Sequence, residues 1–305
     1  MDTSLGKEEI KGIIDEHLNT LPLGKKYVEA AFFGGSFTGI SAEKQEELLS
    51  VAKEYLDRGD IHGIRLSTRP DYISVEILDR LKRYGVTTIE LGVQSMDDEV
   101  LNASNRGHSA SDVKKAVELI RKYDIRLGLQ MMTGLPGDEP EKDIKTAEEI
   151  IKLKPEFVRI YPTLVLAETK LEALYKEGKY HPQTVEEATE LCKKLILMFK
   201  EANIEIIRVA LATTEEIRDG ASVIAGPYHP AFRELAEGEI YYDELNRIIK
   251  ENPDARAFAV NPKEISKAVG NGKKNIERIK EKYGFLIKIK PDDKIDTGKI
   301  KVWKE

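Results

Sequence analysis

The sequence contains a single cysteine, Cys192, and no apolar run that approaches the roughly 20 residues needed to span a membrane. One cysteine excludes a disulfide framework and any metal site that needs several cysteines from these residues. Cys192 shares helical spacing with Val185, Ala188 and Leu195, so we expect it on the buried face of a helix. The first residues, Met1–Leu18, are charged and polar, unlike a secretory signal peptide. These absences predict a soluble, cytoplasmic protein.

The formal net charge of −6 conceals an asymmetry between the body of the chain and its tail. From Pro262 to Glu305 the chain carries 13 Lys and Arg against 7 Asp and Glu, so the tail is basic and the preceding body acidic. A basic tail on an acidic body indicates a polyanionic partner. Lysine-rich solvated surfaces are common, so the charge alone does not decide this.

Apolar segments suited to buried strands alternate with amphipathic helical segments as far as Leu211. Strand–helix units of about 30 residues predict βαβ units and a parallel sheet. About six strands are expected, fewer than the eight of a complete barrel. The pattern by itself does not separate an open barrel from a doubly wound sheet. The predicted strands are Tyr27–Phe33, Ile61–Ser67, Thr87–Val93, Arg126–Met132, Glu156–Thr163 and Ile204–Leu211.

The rhythm changes after the last of these strands and predicts three parts. Residues 1–212 form the α/β body. Residues 213–253 are expected to be an irregular connector packed on that body, because Gly226–Pro227 and His229–Pro230 mark loops. Residues 254–305 are expected to form a small α+β domain with two short helices around the turn Val269–Lys274.

Polar residues and glycines collect where one predicted strand after another ends. Parallel β/α folds bind their ligands at the carboxyl ends of the strands, so this rim is the expected active site. Any loop begins with polar residues, and Gly34–Gly35 alone could be a tight turn; the argument depends on the repetition. The clusters are Gly34–Ser36, Ser67–Asp71, Gly92–Ser95, Thr133–Asp138 and Tyr161–Thr163.

Several of these segments, in order, resemble the motifs of one enzyme family. Phe33–Phe37, Gly92–Ser95 with Asn105–His108, and Gly134–Gly137 are similar to motifs of radical SAM enzymes. With Ser67–Asp71, the likeness is to the branch containing Elongator-type tRNA-modifying enzymes and oxygen-independent coproporphyrinogen oxidases. The resemblance covers residues 30–211 and implies a partial (open) β/α barrel that uses S-adenosylmethionine and a [4Fe–4S] cluster.

The resemblance also implies roles for individual residues, although it identifies no catalytic residue. An arginine suits the cofactor carboxylate because its planar guanidinium donates two parallel hydrogen bonds. The alternative for Arg106 is an ordinary surface arginine at a helix end. The implied cofactor-binding residues are Gly34 and Gly35 for the methionyl amine, Gln94 and Arg106 for the ribose and carboxylate, Gln130 and Leu135 beside the adenosyl group, and Ser67, to which no particular cofactor group is assigned.

The sequence departs from this family at the iron–sulfur cluster. Radical SAM enzymes hold the cluster with a Cys-x3-Cys-x2-Cys loop after their first strand, and thiolates are needed to bind the irons. Neither that strand nor that loop is present, and Cys192 is the only cysteine, so this chain is expected to hold no metal and form no cluster. Because the rim motifs are otherwise intact, we expect truncation of a longer protein rather than loss of the chemistry.

The turn in the basic tail resembles the Gly-x-x-Gly loop of KH domains, which contacts the nucleic-acid backbone. Lys273 stands where the second glycine of that loop is usual, and a plain connector between two helices is the alternative. The resemblance implies that Gly270, Asn271, Gly272, Lys273 and Lys274 bind nucleic acid.

Together these features predict an RNA-modifying radical SAM enzyme, with tRNA as its expected partner, that is inactive in radical chemistry as this chain stands. A non-catalytic RNA-binding protein on a degenerate radical SAM scaffold is one alternative, and a radical SAM enzyme acting on a small molecule is another. No DNA or membrane partner is expected, and the oligomeric state is left open.

Overall fold

The computed structural model describes residues 6–21, 27–211 and 222–303 and divides the chain into two compact units. Unit 1 comprises Met1–Tyr161 and Phe199–Ile207, and unit 2 comprises Pro162–Met198 and Arg208–Glu305. The described helices are α1 Lys7–Thr20, α2 Ala42–Arg58, α3 Val75–Arg83, α4 Asp98–Ala103, α5 Ala110–Ile120, α6 Pro140–Lys152, α7 Lys170–Lys176, α8 Val185–Glu201, α9 Phe232–Glu251, α10 Ile265–Val269 and α11 Lys274–Tyr283. The described strands are β1 Glu29–Phe32, β2 Gly63–Thr68, β3 Val86–Gln94, β4 Arg126–Thr133, β5 Phe157–Pro162, β6 Val165–Leu166, β7 Glu205–Val209, β8 Val223–Ala225, β9 Ala257–Val260, β10 Lys288–Pro291 and β11 Ile300–Val302.

Unit 1 is built on a six-stranded parallel sheet in the order β1-β2-β3-β4-β5-β7, curled into a half-barrel. All six strands were predicted, and the open-barrel alternative is the one observed. Alternate residues of the strands form the core: Leu66, Ile89 and Leu129 are completely buried on the face that packs against the helices. The residues between them point to the inside of the half-barrel, where charged side chains occur.

Local signals in the sequence set the ends of these helices. Ser41 caps α2, since its Oγ accepts a hydrogen bond from the Lys44 backbone N–H at 3.3 Å, and Ser109 caps α5 in the same way. Helix α2 ends at Arg58 and is followed by Gly59, whose φ of +78° suits glycine. Because each helix returns the chain to the start of the next parallel strand, the carboxyl ends of all six strands lie on one edge of the sheet.

Unit 2 contains a three-stranded sheet in the order β10-β9-β11, in which β10 is parallel and β11 antiparallel to the central β9. Its core joins α9 to this sheet and to α11, because Leu245, Ile249, Phe258 and Ile279 form one buried cluster. Cys192 is buried on α8, as predicted.

The irregular connector predicted for residues 213–253 needs correction. Residues 212–221 lie outside the described part of the chain, but the rest contains β8 and the twenty-residue helix α9. The Gly-Pro and His-Pro pairs precede this helix and do not interrupt it. Since α9 contributes Leu245 and Ile249 to the core under β9, the fold of the tail includes a helix from before residue 254. Within the described residues, no helix is long and apolar enough to cross a membrane.

Candidate functional site

The first part of the site is the backbone that follows β1 and β2. Gly34 has a φ of +93°, a conformation that strains every residue except glycine. The Ser67 hydroxyl donates a hydrogen bond to the Gly35 carbonyl at 3.4 Å, which joins the ends of the two strands. Gly34 and Gly35 are both exposed, so a ligand can approach their main chain closely.

Gln94 ends β3 in a strained conformation. Its φ is +64°, and the register between β3 and β4 shifts at this residue, which is a β-bulge. The side-chain amide folds back over Gly92: a Cβ at that position would lie only 2.7 Å from Gln94 Nε2. The Gly-Val-Gln sequence is therefore needed to place this amide at the end of the strand, and strained residues of this kind are frequent at functional sites.

Arg106 is a half-buried arginine without a carboxylate partner among the described residues. Its Nη2 lies 2.9 Å from the sulfur of Met132 at the end of β4, and its Nε is buried with no hydrogen-bond acceptor there. Burial without a compensating negative charge lowers the pKa of this guanidinium. The alternative of a solvated surface arginine does not fit this environment. An anionic ligand, above all a carboxylate, would supply the missing partner.

The loop that carries Arg106 is held from two sides. Arg69 binds both carboxylate oxygens of Asp71, at 2.9 and 2.7 Å, and donates to the Gly107 carbonyl at 2.9 Å. On the other side, Nε2 of the buried His108 lies 3.1 Å from the Val93 carbonyl. These contacts fix the position of Arg106 relative to the ends of β2 and β3.

The turn after β4 is held by a pair of aspartates. The Gly134 and Leu135 N–H groups donate at 3.4 Å to Asp143 and Asp138 respectively. Asp143 is almost fully buried, and burial together with the negative charge of Asp138 raises its pKa to about 9. Leu135 itself is buried, so this turn presents backbone rather than the leucine side chain to the rim.

Gln130 takes part in a charged network inside the half-barrel. Its Nε2 donates to Oε2 of Glu90 at 2.8 Å, and Glu90 is completely buried. Arg65 and Arg159 both pair with the same carboxylate, the latter with a 2.6 Å contact from Nε to Oε2. Burial opposes the charge of Arg159, yet its pairing with Glu90 raises the pKa of this guanidinium. The sequence-based interpretation gave Gln130 a place beside the adenosyl group and overlooked this network. The sequence does contain an indication of this network, because β2, β3 and β5 each carry one charged residue, Arg65, Glu90 and Arg159, within an otherwise mostly apolar strand.

The described residues do not offer ligands for an iron–sulfur cluster. They contain no group of three or more His, Cys, Asp or Glu that could hold a metal ion. The single thiol, Cys192, is completely buried on α8. Among the described residues, the rim thus carries glycines and polar side chains but no set of thiolates.

In unit 2, the glycine-rich turn of the tail lies between α10 and α11. Gly270 is buried with a φ of +80°, whereas the next four residues, Asn271 to Lys274, are exposed. Behind the turn, the Asn275 side chain donates to the carbonyls of Gly238, Lys267 and Ala268 at 2.9 to 3.3 Å. This amide holds the turn against α9 and α10 and leaves the two lysines at the surface.

The half-barrel of parallel strands, with exposed glycines at the carboxyl ends and an arginine that has no carboxylate partner among the described residues, defines a partial β/α-barrel protein. Comparison with known proteins identifies the family. Residues 4–151 match the family model of the radical SAM superfamily, and residues 155–242 match that of the radical SAM C-terminal domain. The chain belongs to the radical SAM superfamily.

Similar proteins come from archaea and eukaryotes. The tRNA uridine(34) acetyltransferase of Methanocaldococcus jannaschii is 33% identical over 159 residues, which are 51% of this chain and 29% of that protein. Elongator complex protein 3 of Schizosaccharomyces pombe is 29% identical over 182 residues, or 59% of this chain and 33% of that one. The shared segments are thus a third or less of these relatives' lengths. The solved structure of the archaeal Methanocaldococcus infernus Elp3 with an N-terminal deletion covers 92% of this chain and 64% of that one, with a TM-score of 0.66 and 22% identity, and supports the fold.

Proposed function

We propose that this chain is the S-adenosylmethionine-binding and RNA-binding part of a tRNA-modifying radical SAM protein. Unit 1 holds the cofactor at the rim formed by Gly34, Gly35, Ser67, Gln94 and Arg106. The cofactor's reductive cleavage depends on a [4Fe–4S] cluster, for which the described residues contribute no ligand set. The residues of this chain therefore bind and orient the cofactor.

The buried guanidinium of Arg106 carries the proposal. The nearest polar partner of this half-buried positive charge is a thioether. Such an arrangement is unfavourable unless a ligand supplies a negative charge and a hydrogen-bond acceptor. S-adenosylmethionine carries a carboxylate for Arg106, an amine for the exposed carbonyls near Gly34, and ribose hydroxyls for the Gln94 amide. Each of these ligand groups has the polarity that the corresponding protein group requires.

The assignment of tRNA as the substrate depends on the relatives and on the tail. Relatives that share the barrel are named for tRNA uridine modification and for the Elongator complex. In the tail, Lys273 and Lys274 are exposed on a glycine-rich turn of KH type. Adjacent lysines on an exposed turn can contact successive phosphates of an RNA backbone.

Calorimetric titration with S-adenosylhomocysteine, which has the same carboxylate and adenosyl groups, tests the cofactor site. The wild-type chain should bind it saturably, and Arg106→Gln should weaken binding by at least about tenfold, the value of one charge-assisted hydrogen bond. Arg83→Gln is the matched control, because Arg83 is a highly exposed arginine of α3. Equal affinities of wild type and Arg106→Gln, or no binding by either, would contradict the proposal.

Binding of unmodified tRNA, measured at several salt concentrations, tests the second part. The double variant Lys273→Glu, Lys274→Glu should weaken binding at least about tenfold. It should also make the slope of the logarithm of the binding constant against the logarithm of salt concentration shallower, by the contribution of about two phosphate contacts. The control reverses Lys115 and Lys122, two exposed lysines of unit 1. If the control and the tail variant lose affinity equally, the tail has no specific role.

A further inference from the structure

A pocket of about 460 Å³ lies entirely within unit 2, beside the glycine-rich turn. Its walls come from one side of α8, the first half of α9, the turn at Gly270–Asn271 and the start of α11. This volume is within the range of small-molecule and nucleoside sites. Gly238, in the middle of α9, has no side chain and leaves the pocket open at that wall.

One wall of the pocket carries an unsatisfied buried hydroxyl. Thr189 on α8 is only 7% exposed, and its Oγ1 has no hydrogen-bond partner among the described residues. A hydroxyl in a helix usually satisfies itself by bonding to the carbonyl one turn earlier. Thr189 lines the pocket, so its hydroxyl is free to bond to a polar group that enters there.

The charged groups around the pocket favour a ligand that donates hydrogen bonds. Four carboxylates line it, those of Glu186, Glu190, Glu234 and Glu239. Glu190 pairs with Lys193 at 2.7 Å, whereas within the described residues Glu186 and Glu234 have no ion-pair partner.

The cations of the pocket are already engaged. Arg278 binds both oxygens of Glu239, at 2.7 and 2.8 Å, and lies 3.5 Å from the centre of the Tyr242 ring. Lys274 Nζ is 4.0 Å from the same carboxylate. The wall is thus rich in acceptors and repels a phosphate, while the exposed side of the turn can still attract one.

We propose that this pocket binds a nucleobase with an exocyclic amino group, adenine, cytosine or guanine, from the RNA whose backbone contacts the turn. Carboxylates accept hydrogen bonds from such amino groups, whereas uracil presents two carbonyls that they repel. Thr189 contributes a hydroxyl that can donate to a ring nitrogen or accept from the amine. The inference rests on the proposed function, since it assumes that the chain binds RNA.

Fluorescence titration with short single-stranded homopolymers of adenosine, cytidine and uridine tests the pocket. The wild-type chain should prefer the adenosine or the cytidine oligomer over uridine by about tenfold, the discrimination expected of one good base contact. Thr189→Val, which keeps the shape and removes the hydroxyl, and Glu234→Gln should each reduce this preference to about twofold or less. Gly238→Ala should do the same by narrowing the pocket, and it should fold, because the nearest atom to its Cβ would be the Lys267 carbonyl oxygen at 3.5 Å.

Glu251→Gln is the matched control, because Glu251 is an exposed carboxylate at the other end of α9 that pairs with Arg247. It should keep the wild-type preference. RNA binding with the same base preference in Thr189→Val and in wild type would overturn the inference and leave the proposed function intact. Failure of the wild type to bind any of these oligomers or tRNA would instead remove the proposed RNA function.

Discussion

Asp143, at the start of α6, lies close to Asp138 beneath the turn that follows β4, and burial together with the negative charge of Asp138 raises the pKa of Asp143. Two carboxylates in contact cannot both be ionised without a large penalty, so the pair retains a proton near neutral pH. The same two side chains accept the Gly134 and Leu135 N–H groups, which ties the shape of the turn to this proton.

This pair predicts a pH dependence of stability. The pKa of Asp143 is raised to about 9 in the folded chain, whereas an unfolded aspartate titrates near 4, so the folded state binds more protons between these values. The free energy of unfolding should therefore decrease as the pH rises from about 5 to about 9. Asp143→Asn keeps a neutral hydrogen-bonding side chain and should flatten this slope, with a gain of roughly 1–3 kcal/mol at pH 8.

Urea denaturation at a series of pH values measures the effect. Glu141→Gln, a change at an exposed carboxylate of the same helix, should keep the wild-type slope. If Asp143→Asn and wild type lose stability in parallel between pH 5 and 9, the pair is not protonated in the folded state.

The network around Glu90 predicts a large loss of stability when its carboxylate is removed. Glu90→Ala leaves Arg159 as a largely buried positive charge without its carboxylate and leaves Arg65 paired with Glu29 alone, and breaking a buried pair in this way costs about 3–5 kcal/mol. Glu54→Ala breaks the solvated pair between Lys11 and Glu54, at 3.4 Å, and should cost less than about 1 kcal/mol. Chemical denaturation measures the free energy of unfolding of both variants. Similar losses in Glu90→Ala and Glu54→Ala would mean that the buried network adds nothing to stability.

The glycine-rich turn predicts unequal effects for its two glycines. A Cβ on Gly270 would lie 2.8 Å from Asn275, so Gly270→Ala should disturb the amide that holds the turn and cost about 2 kcal/mol or more. Gly272 also has a positive φ, +60°, but open space around it, so Gly272→Ala should cost only about 1 kcal/mol of backbone strain. Thermal melts of the two alanine variants compare them directly. A larger loss at Gly272 would contradict the packing seen at Asn275.

Iron binding can be predicted from the single thiol. Anaerobic treatment of this chain with iron and sulfide should leave no stoichiometric four-iron cluster, because such clusters need several thiolate ligands and Cys192 is buried. Iron analysis and visible absorption should give the same result for wild type and for Cys192→Ser. Four irons for each wild-type chain, lost in Cys192→Ser, would show that α8 opens to bind metal.

The regular part of the fold was predictable because its signals are local. The six parallel strands have short apolar runs, and three of the helices between them, α2, α3 and α5, have serine caps. Helix α4 was missed because six residues are too few to show a helical period. Helix α9 was missed because turn-forming pairs precede it, and because Ala231 provides no side-chain cap to mark its start.

The candidate site was predictable only as a set of positions. The motifs placed Gly34 and Gln94 at strand ends and Arg106 in a loop beyond the third strand, but they did not give the environment of these residues. Arg106 is half-buried beside Met132 because the loop after α4 folds back onto β4. These residues are 26 positions apart, and their contact follows from the register of the sheet. Their assignment to cofactor binding stays a prediction.

By itself, the sequence determined the alternation of strands and helices, the order of the glycine and polar clusters, and the presence of one thiol, because periodicity and composition are properties of neighbouring residues. Only the tertiary structure decided which polar and charged groups are paired. Glu90 meets Arg65 and Arg159 across 25 and 69 residues, whereas Arg106 and Thr189 meet no such partner within the described chain. Whether a polar group is satisfied depends on what the fold places within about 3 Å of it, and sequence spacing does not contain that distance.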